Sequence, residues 1–434
     1  MILLLPHALF LSEVSRAVQI AMALRDRGIP VAFGSRGGSY AHLIEAAGFP
    51  VSRLEPGLTP EMEQSFLEAI LAMGPRTSRD FYTDTELVAA VDAEVALIQE
   101  VRADLVITGF TLSAYLSTRV AGVPLATDHG GSFVPPVLAH GLCPVAVNPP
   151  DPNLAKLPHR VQHWIANRAP ALIRGPVAQL NRHAAQRGVD PLPRLLGLMC
   201  GDLTLVTDLP AVLGLSEHEL ERWEPRWPFR LRPGTTFRFT GPLFAHLDLP
   251  VPPAVDEFLD GDDPVVYVAP TSVSEPLLRS IVERTRETGH RVLVAATVHD
   301  LTDLADDRTL VCGILPNHEV MPRVAAAVIM GGQGSVQTAI ASGTPFVGLP
   351  YHGEQELNVA VAERLGMAIR MSPGEVTTPA LTDAVARLLT QPRYGAAARS
   401  AAGLYADVDG AALAADVILA WLAERAAERA KAPA

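Results

Sequence analysis

Residues 328–358 read VIMGGQGSVQTAIASGTPFVGLPYHGEQELN. An apolar strand beginning at Val328 runs into Gly331, Gly332, Gln333, Gly334 and Ser335, and a helix follows that ends near Gly343. Pro345 to Leu349 is a second strand, and Tyr351 to Asn358 opens a second helix. Strand, glycine bend, helix and strand in this order predict a parallel sheet covered by helices, with both helix starts facing one sheet edge. Glycine lets backbone approach a ligand closely, and the unpaired N–H groups and positive dipole end of a helix start attract phosphate. Gly332, Gln333 and Gly334 are therefore a candidate diphosphate cradle, with Ser335 adding a hydroxyl at the first turn. Glu354 and Gln355 carry three side-chain acceptor oxygens and an amide donor, a set that suits sugar hydroxyls. A glycine bend also serves simply to pack a helix on its strand, and a carboxylate at position 354 is favoured by the helix dipole alone.

Working outward, the second half repeats the alternation. Strands are expected at Pro264 to Ala269, Arg291 to Ala296, Thr309 to Cys312 and Val324 to Met330, with a helix from Leu277 to Thr288. The first half does the same: Ile2 to Leu5, then Val14, Ala17, Val18, Ala21 and Leu24 at helix spacing, a stop at Gly28, and Val31 to Gly34. Ala103 to Thr108, a helical stretch closed by Gly122, and Val123 to Thr127 extend that sheet. Between Pro135 and Pro193 prolines accumulate and the periodicity weakens, as expected of one wall of a cleft. The chain thus divides into two doubly wound α/β domains, 1–245 and 246–408, followed by a C-terminal segment, 409–434, whose helix from Gly410 to Lys431 is expected to pack back on the first domain.

The composition narrows the function. At 434 residues the chain has room for two or three domains, and its 48% hydrophobic and 19% charged residues are those of a globular protein. A net charge of −12 argues against nucleic acid and against anionic lipid as partners, which leaves small molecules. Cys143, Cys200 and Cys312 lie far apart without CxxC spacing, which predicts neither a zinc site nor a disulfide framework. No apolar run reaches the ~20 residues of a membrane span, and Met1 to Leu11 lacks the basic start of a secretory signal. A cytoplasmic location is expected.

The residues Met330-Gly331-Gly332-Gln333-Gly334-Ser335, with Ser342-Gly343-Thr344-Pro345, Pro350, Glu354-Gln355 and Asn358, resemble in order and spacing the donor signature of family 1 nucleotide-sugar glycosyltransferases of the bacterial macrolide type. Thr240-Gly241-Pro242 and Pro316-Asn317 extend the resemblance over most of the chain. It implies the GT-B fold, in which two Rossmann-like domains face each other across a cleft. The C-terminal domain then holds a UDP- or dTDP-sugar and the N-terminal one a small, largely apolar acceptor of natural-product type. Transfer is implied to be inverting and independent of metal, with no cofactor beyond the nucleotide-sugar co-substrate. The resemblance assigns Gly332, Gly334 and Ser335 to diphosphate, and Glu354 and Gln355 to sugar. Ser272 matches the family's donor-contacting serine, with Thr271 where a glycine is expected. A homodimer is compatible with all of this.

Three positions depart from the family pattern. Met330 stands where a histidine meets the phosphate, Glu13 where the catalytic histidine opens the first helix, and Thr108 near the aspartate that orients it. Glu13 is the candidate general base, since a partly buried carboxylate with raised pKa accepts a proton from a hydroxyl near neutrality. Equally, Ser12 and Glu13 suit a helix cap and first turn. His129, after Asp128 at the end of its strand, is the second candidate base. His7 and Asp128 are expected at the acceptor side of the cleft. The departures also support another outcome, a glycosyltransferase-fold protein with altered chemistry that acts as a binding partner or catalyses a different reaction. A nicotinamide dehydrogenase is disfavoured because Gln337 stands where a dinucleotide-binding loop needs Gly or Ala.

Overall fold

The computed structural model describes residues 1–72, 79–245, 249–270 and 273–431. Thirteen strands among these residues form two sheets, each parallel throughout. The first sheet contains β1 (Ile2–Leu4), β2 (Val31–Ser35), β3 (Val51–Arg53), β4 (Leu105–Thr108), β5 (Leu125–His129), β6 (Leu203–Val206) and β7 (Thr236–Phe239), in the order β3-β2-β1-β4-β5-β6-β7. The second contains β8 (Val265–Val268), β9 (Arg291–Ala295), β10 (Thr309–Cys312), β11 (Ala326–Ile329), β12 (Phe346–Gly348) and β13 (Ala368–Arg370), in the order β10-β9-β8-β11-β12-β13.

β1, β4, β8 and β11 are buried at every residue because helices cover both faces, which is why they read as unbroken apolar runs. The fold is the two-sheet α/β arrangement expected of GT-B. Two local expectations need correction. The strand predicted at Val123 to Thr127 runs from Leu125 to His129, so Asp128 and His129 lie on β5 rather than beyond it. The first helix, Leu11–Asp26, starts with Phe10 at its cap, and Ser12 makes no cap bond.

The terminal helix, Gly410–Lys431, lies against the first helix of the N-terminal half. Ala414, Ala415, Ile418 and Trp421 share an apolar cluster with Val14, Ala17, Ala21 and Leu24. Arg27 fastens the pair through Asp416 (2.7 Å) and the Ala412 carbonyl (3.1 Å). The two sheets are also joined directly. Val206, Leu213 and Phe237 belong to the same apolar cluster as Tyr267, Ile329 and Val359. Around it, Arg364 donates to the carbonyls of Val212 (2.9 Å) and Leu213 (2.7 Å), and Glu356 accepts from the amides of Val147 (2.7 Å) and Asn148 (3.1 Å) while Arg370 neutralises it at 2.6 Å. No helix among the described residues is long and apolar enough to cross a membrane.

Candidate functional site between the sheets

In an open parallel sheet, ligands bind beyond the carboxyl ends of the strands where the strand order reverses. These reversals lie between β1 and β4 in the first sheet and between β8 and β11 in the second. The bend 331–335 follows β11, so the second reversal holds the predicted cradle. Gly331 has φ +93°, and a Cβ there would collide with Val359 of the helix Gly353–Arg364, so only glycine permits both the bend and the close approach. A Cβ at Gly332 or Gly334 would meet no atom within 4 Å. The helix Gln333–Ala341 therefore begins beside open space, and its Ser335 is half-buried.

Part of the predicted cradle is already used. Glu354 Oε1 accepts from the Gln333 amide (3.1 Å) and from Asn358 Nδ2 (2.5 Å), while Asn358 also donates to the Gly331 carbonyl (3.1 Å). Burial pushes the Glu354 carboxyl up to about 7, opposed by the Asn358 hydrogen bond and the Gln333 amide. Gln355 Oε1 accepts from the Tyr351 amide (2.8 Å), which holds the loop before the second helix. Met330 is 6% exposed and packs with Val266, Val347 and Met371 in the apolar layer under the sheet. Ser272 lies outside the described residues.

At the first reversal stands a charged cluster of which the sequence showed only parts. Arg16, one turn beyond Glu13, donates to Glu13 Oε1 (2.7 Å) and to Asp128 Oδ2. Glu13 Oε2 accepts from the Phe110 amide (2.8 Å). A Cβ on Gly109 would collide with the Glu13 carboxylate, so the absence of a side chain there makes room for it. Burial pushes Glu13 up to about 7 against the pull of Arg16, and burial also raises Asp128. One guanidinium thus serves two buried carboxylates. Thr108 Oγ1 is occupied in donating to the Leu5 carbonyl (2.7 Å) and accepting from the Thr111 amide (3.1 Å).

His129 is 4% exposed, and burial with the nearby Arg16 charge pushes it down to about 3, so it is neutral. One ring nitrogen bonds the Gly109 carbonyl, and Nε2 has no partner among the described residues. His7 goes elsewhere: it stacks on Phe66 with ring centres 4.3 Å apart and lines a separate small cavity of the first sheet.

The two reversals meet. The Gln333 side chain crosses to Thr207 Oγ1 (2.8 Å) and packs against Gly130, while Gln337 Nε2 reaches the Thr207 carbonyl (2.6 Å) and Asp208 Oδ1 (3.2 Å). Asp208 Oδ2 accepts from the Gly131 amide (2.7 Å), and burial pushes its carboxyl up to about 6. Glu13, Asp128, His129, Gln333 and Glu354 are thereby brought to one place, and Arg16 also acts on Glu354 through space. Sequence reasoning missed Arg16, Thr207, Asp208 and Gln337. The spacing of Arg16 from Glu13, three residues along one helix face, was a usable signal, and so was a polar pair immediately after an apolar strand at Thr207-Asp208. Among the described residues no cluster of His, Cys, Asp and Glu is arranged to hold a metal ion.

Residues 279–413 match the family model described as Erythromycin biosynthesis protein CIII-like, C-terminal domain. The chain is 24% identical over 351 residues to a PGL/p-HBAD biosynthesis rhamnosyltransferase of Mycobacterium bovis (strain BCG / Pasteur 1173P2), covering 78% of this chain and 70% of the relative. It is 26% identical over 413 residues to the vancomycin aglycone glucosyltransferase of Amycolatopsis orientalis, covering 93% of each. These similarities support the resemblance to family 1 glycosyltransferases. The crystal structure of the glycosyltransferase VinC in complex with dTDP superposes on this glycosyltransferase with a TM-score of 0.64 at 17% identity, covering 98% of this chain and all of that one. The fold is GT-B, and the enzyme is a glycosyltransferase of natural-product biosynthesis type.

Proposed function

We propose that this glycosyltransferase moves a sugar from a UDP- or dTDP-sugar to a small, largely apolar acceptor, with inversion at the anomeric carbon. The observation that carries the reading is the open, amide-lined bend at Gly332 and Gly334, placed at the strand reversal of the second sheet and facing the strand ends of the first. Diphosphate there meets the helix dipole and the helix-start amides other than that of Gln333, which Glu354 holds, and these stabilise the leaving group as it gains charge. Ser335 adds a hydroxyl donor, and Glu354 and Gln355 face the sugar. A dTDP-bound relative supports a nucleotide donor.

Glu13 is the proposed base. Its raised pKa, about 7, matches proton abstraction near neutrality, whereas His129, at about 3, is too weak a base to drive it. Arg16 and Asp128 are positioning residues: Asp128 fixes the guanidinium and the guanidinium fixes the carboxylate. As the acceptor hydroxyl attacks the anomeric carbon, its proton passes to Glu13 and the nucleoside diphosphate leaves on the opposite face. The second reading, a changed chemistry on the same scaffold, is favoured by Met330, which sits in the apolar layer, and by the ion pair that engages Glu13.

The test is an acceptor screen with UDP- and dTDP-sugars, read by release of nucleoside diphosphate and by the anomeric proton coupling of the product. Acceptor-dependent release with inverted configuration is expected. Retained configuration, or no release with any acceptor while the donor still binds, would favour the second reading.

A further inference from the structure

The cavity that receives His7 is built for a particular kind of group. It lies beyond the ends of β1, β2 and β4, lined by His7, Ser35, Arg36, Tyr82, Glu94 and Ser113 among others, and its free volume is about 20 Å³. That is room for one water-sized group. Two polar atoms on its wall, Glu94 Oε2 and His7 Nδ1, have no hydrogen-bond partner among the described residues, although Glu94 is 0% exposed and His7 6%. Buried polar atoms are rarely left in this state unless something else completes them.

Glu94 makes no salt bridge among the described residues, although the Arg36 charge reaches it through space. Arg36 is the lining cation, and it is committed: it donates to Glu86 Oε1 (3.0 Å) and to the Pro56 carbonyl (2.7 Å). Glu94 lies beside the hydroxyls of Ser113 and Ser117 and accepts from Ser113 Oγ at Oε1. Burial therefore pushes it up to about 7. Aromatic rings adjoin the cavity: Tyr82 lines it, and His7 lies 5.5 Å from Phe10 and 4.3 Å from Phe66. Phe10 in turn packs edge-on to Phe110, whose amide holds Glu13. The same aromatic cluster thus connects this cavity to the proposed base.

We infer that the cavity is a subsite for a primary ammonium group carried by the acceptor, with Glu94 as its counter-ion, His7 Nδ1 as a further acceptor and the neighbouring rings against the apolar body. The inference rests on the reading of the first sheet as the acceptor side. A water-sized head fits the volume, and the ammonium supplies hydrogen-bond donors to the two unpartnered atoms and an ion pair for Glu94.

Calorimetric titration of the full chain with 2-phenylethylamine, 2-phenylethanol and 3-phenylpropionate tests it, because the three share one body and differ in the head. The amine should bind about tenfold or more tightly than the alcohol, and the carboxylate not measurably. Glu94→Gln should remove that preference and leave the alcohol unchanged, and His7→Phe, which keeps the stacking on Phe66, should weaken the amine. Equal binding of amine and alcohol, tighter binding of the carboxylate, or an amine preference that survives Glu94→Gln would overturn the subsite. The wild-type series stands even if a variant fails to fold. Failure of the underlying reading looks different: an amine that binds through Glu94 yet does not compete with the acceptor in turnover would overturn the acceptor assignment while the cation site itself stood.

Discussion

Glu13, the proposed base, is placed by its structural contacts. Its carboxylate is held by Arg16 and the Phe110 amide in a space that exists because residue 109 is glycine. As the base it must be ionised, so kcat/KM should rise with pH through about 7 and fall away below it as the proton returns. Glu13→Gln should abolish that limb and lower kcat by roughly 100-fold or more while donor affinity stays constant, and an unchanged rate would retire Glu13. Gly109→Ala should act similarly through geometry alone, since the new methyl displaces the carboxylate; pH profiles of the two variants check this. At the donor side the sign is opposite. Glu354 is neutral below about 7 and anionic above it, so nucleoside diphosphate should bind more weakly as pH rises from 6 to 8, and Glu354→Gln should remove the trend in a calorimetric pH series. Glu13 and Glu354 were both legible in the sequence. Arg16 and Asp208 left only a weak local trace, a spacing of three from Glu13 and a polar pair after a strand, because the contacts that give them weight span 112 and 129 residues of chain.

At the scale of elements, apolar runs and glycine stops were sufficient to predict most of the strands, since a strand buried on both faces must be continuously apolar. Thr309–Cys312 and the helix 410–431 match their expected bounds, whereas β3 and β13, three residues each and partly exposed, carry too little pattern to stand out. The sequence reading puts Asp128 and His129 at the very end of a strand drawn from Val123 to Thr127, two residues too early at each end. Both are buried on β5, and Arg16 is what makes a buried aspartate tolerable there. The bend after β11 is the element on which the proposed donor site depends. Gly331→Ala combines a left-handed backbone with a collision against Val359, and it should cost about 2–4 kcal/mol in urea unfolding. A loss below about 0.5 kcal/mol would show that the bend relaxes freely.

For the whole molecule, the apolar cluster shared by both sheets and the terminal helix folded back on the first helix tie the two halves together. Heat should therefore unfold the enzyme in one calorimetric transition. Two resolved transitions would mean that the halves are thermally independent. This joining was legible only in outline: the terminal helix was apolar enough to require a partner, but the polar crossings from Gln333, Gln337, Arg364 and Glu356 pair residues with no sequence relationship. These crossings bring the strand ends of one sheet to the helix start of the other, where a sugar held by its diphosphate would face Glu13.

The central claim is that the bend at 331–335 grips that diphosphate. Calorimetric titration of UDP and dTDP against the wild type and Gly334→Trp tests it directly, because a side chain at residue 334 enters open space and leaves the fold intact. Saturable binding to the wild type, weakened about tenfold or more in the variant, is the predicted result. Equal affinity in the two proteins, or no binding of either nucleotide to the wild type, would contradict it.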